Sequence, residues 1–259
     1  MMQENMLVTA QRKIADNIFE IKLHGEMTAA VSQPGQFVHI RVNGSDSINP
    51  LLRRPISICS VDKKEKEMTL IYRRSGLGTD LLSHAGKGGR IDVLGPLGHG
   101  FPLQQAEAAA KVLIVGGGVG IPPLYGLSRE LAGKGVRITH VLGFRSAKDV
   151  FYEDRFSGLG RTVLLTEDGT GGRKGRVTDV LDGIDFTAAF ACGPLPMLKA
   201  IKSLIPDKPL YLSLEQRMAC GIGACLACAV RVSDKNDAKG YRRVCCDGPV
   251  FRAGEVELC

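Results

Sequence analysis

The sequence has no tryptophan, few aromatic residues and no long apolar stretch. Aromatic residues make up only 5% of its 259 residues, so the flat side chains on which nucleic-acid bases stack are scarce. No run of about eighteen apolar residues is present, which argues against a membrane-spanning helix. Residues 1–17 lack an apolar core after a basic start, unlike a secretory signal. We therefore expect a cytoplasmic protein with no membrane span, in which cysteines serve metal or redox chemistry rather than disulfides.

The chain carries a formal net charge of +7, but its basic residues are not gathered into one stripe. They are scattered or paired, as at Arg53-Arg54 and Arg242-Arg243, unlike the basic face of a nucleic-acid-binding domain. We therefore expect no nucleic-acid partner. The excess positive charge is better explained by phosphate-bearing cofactors or an acidic partner surface.

The first hundred residues show short runs of alternating apolar and polar residues, separated by glycine, proline and aspartate. This pattern is typical of a small antiparallel β-barrel. The predicted strands cover residues 18–23, 36–42, 56–61, 68–73 and 89–93. A single helical turn is predicted at residues 79–84, so the pattern gives a barrel domain over residues 1–103.

From residue 104 the pattern changes to strands alternating with helices. Residues 111–115 form a continuous apolar run, as expected of a strand buried on both faces of a parallel sheet. A helix is predicted over residues 124–131, and the remaining strands over 137–144, 162–165, 188–191 and 210–214, the last of the layer. This indicates an open parallel α/β domain over residues 104–212, with a nucleotide at the carboxyl ends of its strands.

The last part of the chain, residues 213–259, is marked by cysteines. Cys220, Cys225 and Cys228 have the C-x4-C-x2-C spacing that is typical of plant-type [2Fe–2S] ligands. A zinc knuckle is the alternative, because C-x2-C is also half of a zinc site, although no histidine follows His140. For the fourth ligand the spacing leaves Cys245 and Cys246 open, since neighbouring side chains of an extended chain face opposite ways.

The cysteine segment is too short and too poor in apolar residues to build a hydrophobic core of its own. We therefore expect a bound cluster, together with packing against the two preceding domains, to hold it in place.

Two stretches of the barrel domain predict a phosphate-bearing ligand. In Arg54-Pro55-Ile56-Ser57, a guanidinium can face a pyrophosphate while a hydroxyl on the strand faces a ring nitrogen. Residues Ile71-Tyr72-Arg73 lead into a glycine-rich loop that contains Gly78 and Thr79. Free backbone N–H groups at such a loop suit a phosphate.

The α/β domain contains a third stretch of this kind. Gly116, Gly117, Gly118 and Gly120 follow the first buried strand and precede a helix. Such glycines allow a dinucleotide pyrophosphate to approach the backbone, although a plain tight turn would use them too. At the end of a later strand, Cys192 is followed by a Gly193-Pro194 turn, although a small buried residue at a strand end is the alternative explanation for the cysteine.

These stretches resemble the motifs of the ferredoxin-reductase family. Arg54–Ser57 and residues 76–79 are similar to its two flavin motifs, with Ile56 where the family has an aromatic residue, and Cys192–Pro194 is similar to its nicotinamide segment. The resemblance implies that FAD phosphates are held by Arg54, Arg73 and Thr79 and the flavin ring by Ser57. It implies NAD at the glycine loop beside Cys192.

The resemblance extends to the cysteine segment. In members with such a segment, the last ligand is separated from Asp-Gly-Pro by one residue, which corresponds to Cys245 here. Cys246 and Cys259 would then take no part in the cluster. The histidines are left as structural residues, and no residue of this chain is expected to act as an acid–base catalyst, because hydride transfer needs positioning above all.

The resemblance further implies a partner subunit that carries FMN, in a heterotetramer of two copies of each chain. Electrons would pass from FMN through the cluster and FAD to NAD+. A reductase subunit linked to ferredoxin, sulfide or hydrogenase is one alternative. A zinc-stabilised nucleotide-binding regulatory module is another. Arg145-Ser146, after the second α/β strand, could contact the 2′-phosphate of NADP instead of NAD.

Overall fold

The computed structural model describes residues 1–43 and 49–258, and Cys259, expected to take no part in the cluster, lies outside them. The chain begins with a closed barrel of six antiparallel strands, which are hydrogen-bonded in the order β1-β2-β5-β4-β3-β6. The strands are β1 (Met2–Ala15), β2 (Ile18–His24), β3 (Phe37–Ile40), β4 (Arg54–Asp62), β5 (Glu67–Arg73) and β6 (Arg90–Leu97). The predicted barrel is thus confirmed.

Alternation along these strands places every second side chain inside the barrel. Ile21, Leu23, Val38 and Leu70 are fully buried there, in one apolar cluster. Two short helices close the barrel, α1 (Met27–Ala30) and α2 (Leu77–Ser83). The sequence predicted only one helical turn, at residues 79–84, because four residues are too few for a helical period to be visible in α1.

The second part of the chain is an α/β layer with six parallel strands. Five of them were predicted, and the two-residue strand Arg173–Lys174 was not. The strands are β7 (Lys111–Gly117), β8 (Arg137–Phe144), β9 (Arg161–Thr166), β10 (Arg173–Lys174), β11 (Ala188–Cys192) and β12 (Leu210–Ser213). The helices of this layer are α3 (Leu103–Glu107), α4 (Ile121–Gly133), α5 (Glu153–Ser157) and α6 (Leu195–Leu204). In the sheet, the parallel strands follow the order β10-β9-β8-β7-β11-β12, which reverses at β7. A ligand crevice is expected at such a reversal.

The cysteine segment contains a small two-stranded sheet of β13 (Ala229–Arg231) and β14 (Tyr241–Arg243), and then β15 (Val250–Arg252). The last of these joins the large sheet antiparallel to β12, with Ser213 paired to Val250. The prediction that residues 210–214 form the last strand of the layer was therefore wrong. A three-residue strand that pairs across a long excursion gives no local signal in the sequence.

All three parts of the chain share apolar cores. Helix α4 packs against the barrel, where a Cβ on Gly126 would lie 3.0 Å from the carbonyl oxygen of Cys59. On the other face of the sheet, one cluster joins Leu212 of β12 with Val244, Cys245 and Phe251 of the cysteine segment. The expectation that this segment depends on packing against the preceding domains is thus confirmed.

A buried carboxylate also ties the barrel to the α/β layer. Glu20 in β2 accepts hydrogen bonds from the Arg12 guanidinium, at 2.7 Å, and from the Tyr152 hydroxyl. Burial alone would raise the pKa of Glu20, but these two donors outweigh it and hold the pKa below its ordinary value. Within the described ranges, no helix has the length and apolar character needed to cross a membrane.

Candidate cofactor cleft and cysteine cluster

The barrel, the α/β sheet and the cysteine segment meet at one cleft. Seven of the nine residues predicted to contact a flavin line it: Pro55, Ile56, Ser57, Ile71, Tyr72, Arg73 and Thr79. The opposite wall comes from the glycine loop, through Val119, and from the chain that leaves β12, through Ser213 and Glu215. Residues far apart in the sequence are thus brought together where the sheet order reverses.

The remaining two predicted residues, Arg54 and Gly78, lie against each other beside this cleft. A Cβ on Gly78 would collide with the Arg54 guanidinium, so only glycine allows the arginine to cross the loop there. Arg53 has a different role, because it forms an ion pair with Asp92 at 2.6 Å and donates to the Asp92 carbonyl at 3.1 Å. The two arginines of the doublet therefore have different roles: Arg54 lies beside the cleft, and Arg53 stabilises the barrel.

Thr79 closes the glycine-rich loop on itself. Its hydroxyl oxygen accepts from the backbone N–H groups of Ser75, at 3.0 Å, and Gly76, at 3.3 Å, and its hydroxyl donates to the Gly76 carbonyl at 3.1 Å. The side chain thus fixes the loop, as in a helix capping box.

Arg73 is a basic residue that lines the cleft. Its Nε is buried without a hydrogen-bond partner among the described residues, and a terminal nitrogen lies 3.6 Å from the Cβ position of Gly118. Leaving such a buried donor unpaired costs about 1–3 kcal/mol. This guanidinium, placed between the two phosphate-type loops, is therefore suited to an anion.

The glycine loop contacts the Cys192–Pro194 turn. Strand β11 pairs with β7 so that Cys192 lies beside Gly116, and a Cβ on Gly120 would lie 2.5 Å from the Gly193 nitrogen. Burial raises the pKa of the Cys192 thiol, so this cysteine stays protonated and acts as a small packed side chain. The two predicted nicotinamide stretches thus form one surface.

The predicted metal ligands lie in two pairs. Cys225 lies against Cys220. Burial would raise the pKa of the Cys220 thiol, but N–H donors from Ile222, Cys225 and Ala224 outweigh burial and lower this pKa to about 6. Cys228 accepts a hydrogen bond at its Sγ from the Cys245 N–H at 3.4 Å. Among residues 1–43 and 49–258, no three histidine, cysteine or acidic side chains converge on one point. Two pairs of cysteines match a [2Fe–2S] cluster, in which two thiolates hold each iron.

Cys246 lies next to these pairs, because its thiol is close to that of Cys245. It is half-buried, and its Sγ lies 2.7 Å from the Cβ position of Gly223. The Arg243 guanidinium bridges this region by donating to the Gly223 carbonyl and to the Asp247 carboxylate, both at 3.0 Å. Cys245, by contrast, is fully buried beside Cys228.

Comparisons with known proteins agree with this geometry. Residues 215–257 match the family model described as the iron-sulfur cluster binding domain of dihydroorotate dehydrogenase B. The dihydroorotate dehydrogenase B (NAD(+)) electron transfer subunits of Bacillus cereus strain B4264 and Bacillus anthracis strain CDC 684 are each 52% identical over the full length of both chains. The chain belongs to this family of electron transfer subunits.

Solved structures extend the likeness to reductases. The NADH-dependent reduced ferredoxin-NADP oxidoreductase has a TM-score of 0.84 and 30% identity, over 98% of this chain and 90% of that one. The Amycolatopsis cytochrome P450 reductase GcoB has a TM-score of 0.65 and 25% identity, over 78% and 66%. The resemblance to the ferredoxin-reductase family is thus confirmed. So is the narrower resemblance, carried by residues 213–225 and 243–251, to electron transfer subunits of NAD-linked dihydroorotate dehydrogenases.

Sequence reasoning missed several residues of the cleft in this member of the dihydroorotate dehydrogenase B family. Phe37, Ser213 and Glu215 line the cleft. Phe37 belongs to no motif, and Ser213 and Glu215, at the start of the cysteine stretch, were assigned no contact with a cofactor. Desolvation in the cleft raises the pKa of Glu215, and the charge of Arg73 partly offsets that effect. Their positions depend on how the three parts of the chain pack together, and the strand alternation around Phe37 was the only signal available.

Proposed function

We propose that this chain is the subunit through which electrons from dihydroorotate, removed in a partner subunit that carries FMN, reach NAD+ in pyrimidine synthesis. Bound FAD and a [2Fe–2S] cluster would together supply the conversion between single-electron and hydride transfer. The residues of this chain bind and orient those groups, and the shared cleft is the observation that supports this best.

The residues of the cleft fit FAD. Arg54, held across Gly78, and Arg73, with its unpartnered Nε, offer two guanidinium groups for the phosphates. Ser57 lies on β4 and lines the cleft, so we assign its hydroxyl a hydrogen bond to the flavin ring. Thr79 keeps the loop closed, so we assign it the role of shaping the phosphate site.

The nicotinamide nucleotide fits the surface of the glycine loop and the turn of Cys192, Gly193 and Pro194. Gly116, Gly117, Gly118 and Gly120 leave the backbone open to a pyrophosphate. We propose NAD rather than NADP, because relatives that match the full chain are named as NAD(+) subunits. The Ser146 hydroxyl, a candidate contact for a 2′-phosphate, donates instead to Asp149 at 2.8 Å.

The cluster is assigned to Cys220, Cys225, Cys228 and Cys245. Their arrangement in pairs and the family match favour iron over the zinc alternative, and the buried position of Cys245 supports it over Cys246 as fourth ligand. All seven cysteines of the described residues are free, and we propose a reducing, cytoplasmic location.

Co-expression with a candidate FMN subunit tests the function. We expect a yellow-brown complex with the mass of two copies of each chain, and NADH formation from dihydroorotate and NAD+ that requires both subunits. A complex without NADH formation, or no complex at all, would overturn the assignment.

The likeness to the ferredoxin-NADP oxidoreductase favours one second candidate, a reductase subunit linked to ferredoxin. The same preparation decides between the two. Oxidation of reduced ferredoxin with NAD+, in place of dihydroorotate oxidation, would select this alternative.

A further inference from the structure

Two histidines are completely buried, and their surroundings differ. His140 in β8 hydrogen-bonds with the hydroxyls of Thr162 and Ser128, each at 3.1 Å. His39 in β3 has no partner for either ring nitrogen among the described residues. Because leaving a buried polar atom without a partner is unfavourable, His39 requires an explanation that His140 does not.

The His39 ring faces the cysteine segment. A Cβ on Gly221 would lie 2.7 Å from both the Nδ1 and the Cε1 atoms of His39, so this edge of the ring packs directly on the residue after Cys220. On its own strand, His39 is an edge-on neighbour of Phe37, with ring centroids 5.9 Å apart, and Phe37 lines the flavin cleft. His39 therefore lies between the cleft and the cysteine loop.

The imidazole is neutral in this position. Burial and the nearby charge of Arg53 lower the pKa of His39 to about 4. A neutral imidazole carries one N–H donor, and no described protein group accepts from it. A cluster held by Cys220, the residue before Gly221, would supply sulfur acceptors for this donor.

We propose that His39 is a positioning residue for the cluster, and that it donates a hydrogen bond to the cluster sulfur from the ring edge that packs on Gly221. This inference rests on the proposed [2Fe–2S] site. Hydrogen bonds to cluster sulfur are one of the means by which a protein sets the reduction potential. Reduction adds negative charge to the cluster, so a donor stabilises the reduced form and raises the potential.

Redox titration of the iron-loaded protein tests the role. His39→Phe removes the N–H and keeps a ring, so we expect the midpoint potential of the cluster to shift downward. His39→Gln restores a donor and should recover part of the shift. His140→Phe is the matched control, because it removes two hydrogen bonds from a buried histidine of the sheet but should leave the potential unchanged.

An assembled cluster with an unchanged potential in His39→Phe would overturn the inference. Equal shifts in His39→Phe and His140→Phe would also overturn it, because both would then reflect general loosening of the fold.

If His39→Phe assembles no cluster, a second measurement on wild-type protein still tests the role of His39. In wild-type protein labelled with ¹⁵N-histidine, pulsed EPR of the reduced cluster should resolve coupling to one histidine nitrogen, which persists in His140→Phe. No coupling would refute the role of His39. Absence of a two-iron signal in wild type would instead refute the proposed function, so the two failures are distinguishable.

Discussion

The cofactor cleft and the cysteine segment are built in different ways. The cleft is walled by long strands whose other faces lie in apolar cores, as at Ile71, and its loops are locked by contacts such as Arg54 on Gly78. The cysteine segment has only three strands of three residues each. Its apolar residues belong to a core that the α/β sheet supplies.

The difference indicates what fixes each geometry. The polypeptide alone can preform the cleft, because burial of large apolar side chains stabilises its walls. The cysteine loop needs cross-links, since metal binding to a segment with little structure of its own contributes directly to its folding. Disturbing one region should therefore leave the other largely intact.

The largest expected effect is at a ligand. Cys228→Ser removes a buried thiolate, so the iron content should fall close to zero and amide exchange in residues 213–258 should rise. FAD content should stay near that of wild type. Iron analysis, the flavin spectrum and hydrogen exchange measure the three quantities.

Cys246→Ser is the matched control and should retain its iron. Parallel loss of FAD in Cys228→Ser would contradict the independence of the two regions. Loss of iron in Cys246→Ser would contradict the choice of Cys245 as the fourth ligand.

The next effect is at the arginine doublet. Arg54→Ala should weaken FAD binding by about tenfold to a hundredfold, since a charge-assisted hydrogen bond contributes about 1.5–3 kcal/mol. Arg53→Ala should instead lower the stability of the barrel by breaking the pair with Asp92. FAD titration and thermal unfolding separate the two. Equal FAD affinity in wild type and Arg54→Ala would remove the assignment.

A smaller effect is expected at the glycine loop. In Gly120→Ala the new methyl would meet the backbone of Cys192 and Gly193, at a cost of about 1–3 kcal/mol. Flavin reduction by NADH should slow by about tenfold, within the range of that cost, while FAD and iron stay bound. Gly133→Ala, where a Cβ meets nothing within 4 Å, is the control. Stopped-flow rates that match between the two variants would show that the loop is not preformed.

The smallest effect concerns Glu20, which connects the barrel to the α/β layer, and the loss of its contribution to folding stability at acid pH. The lowered pKa of Glu20 means that its contribution is present at neutral pH and is lost as pH falls through the folded-state pKa. Glu20→Gln should cost about 1 kcal/mol at pH 7 and flatten the acid side of the stability profile. Thermal release of flavin, followed from pH 7 downward, measures this. A pH profile parallel to that of wild type would argue against the role of Glu20.

The sequence was informative wherever the signal is local. Strand alternation predicted the barrel, the apolar run at residues 111–115 predicted β7, and cysteine spacing picked out the first three candidate ligands. Each of these features depends on neighbours along the chain, so one sequence is enough to detect it.

Features that depend on tertiary packing were not predictable in the same way. Strand β15 pairs with β12 only because the chain returns to the sheet after the cysteine loop. Glu20 and Tyr152 meet across two parts of the chain. His39 looked like an ordinary strand residue, and only burial without a partner distinguishes it from His140.

The return of the chain at β15 has a consequence for protein made without iron. While the cysteine loop is open, the outer backbone groups of β12, a strand of sequence Leu-Tyr-Leu-Ser, have no covering strand. An uncovered apolar strand is a template for pairing with other chains. Iron starvation should therefore appear first as aggregation of this protein, before any loss of its bound flavin.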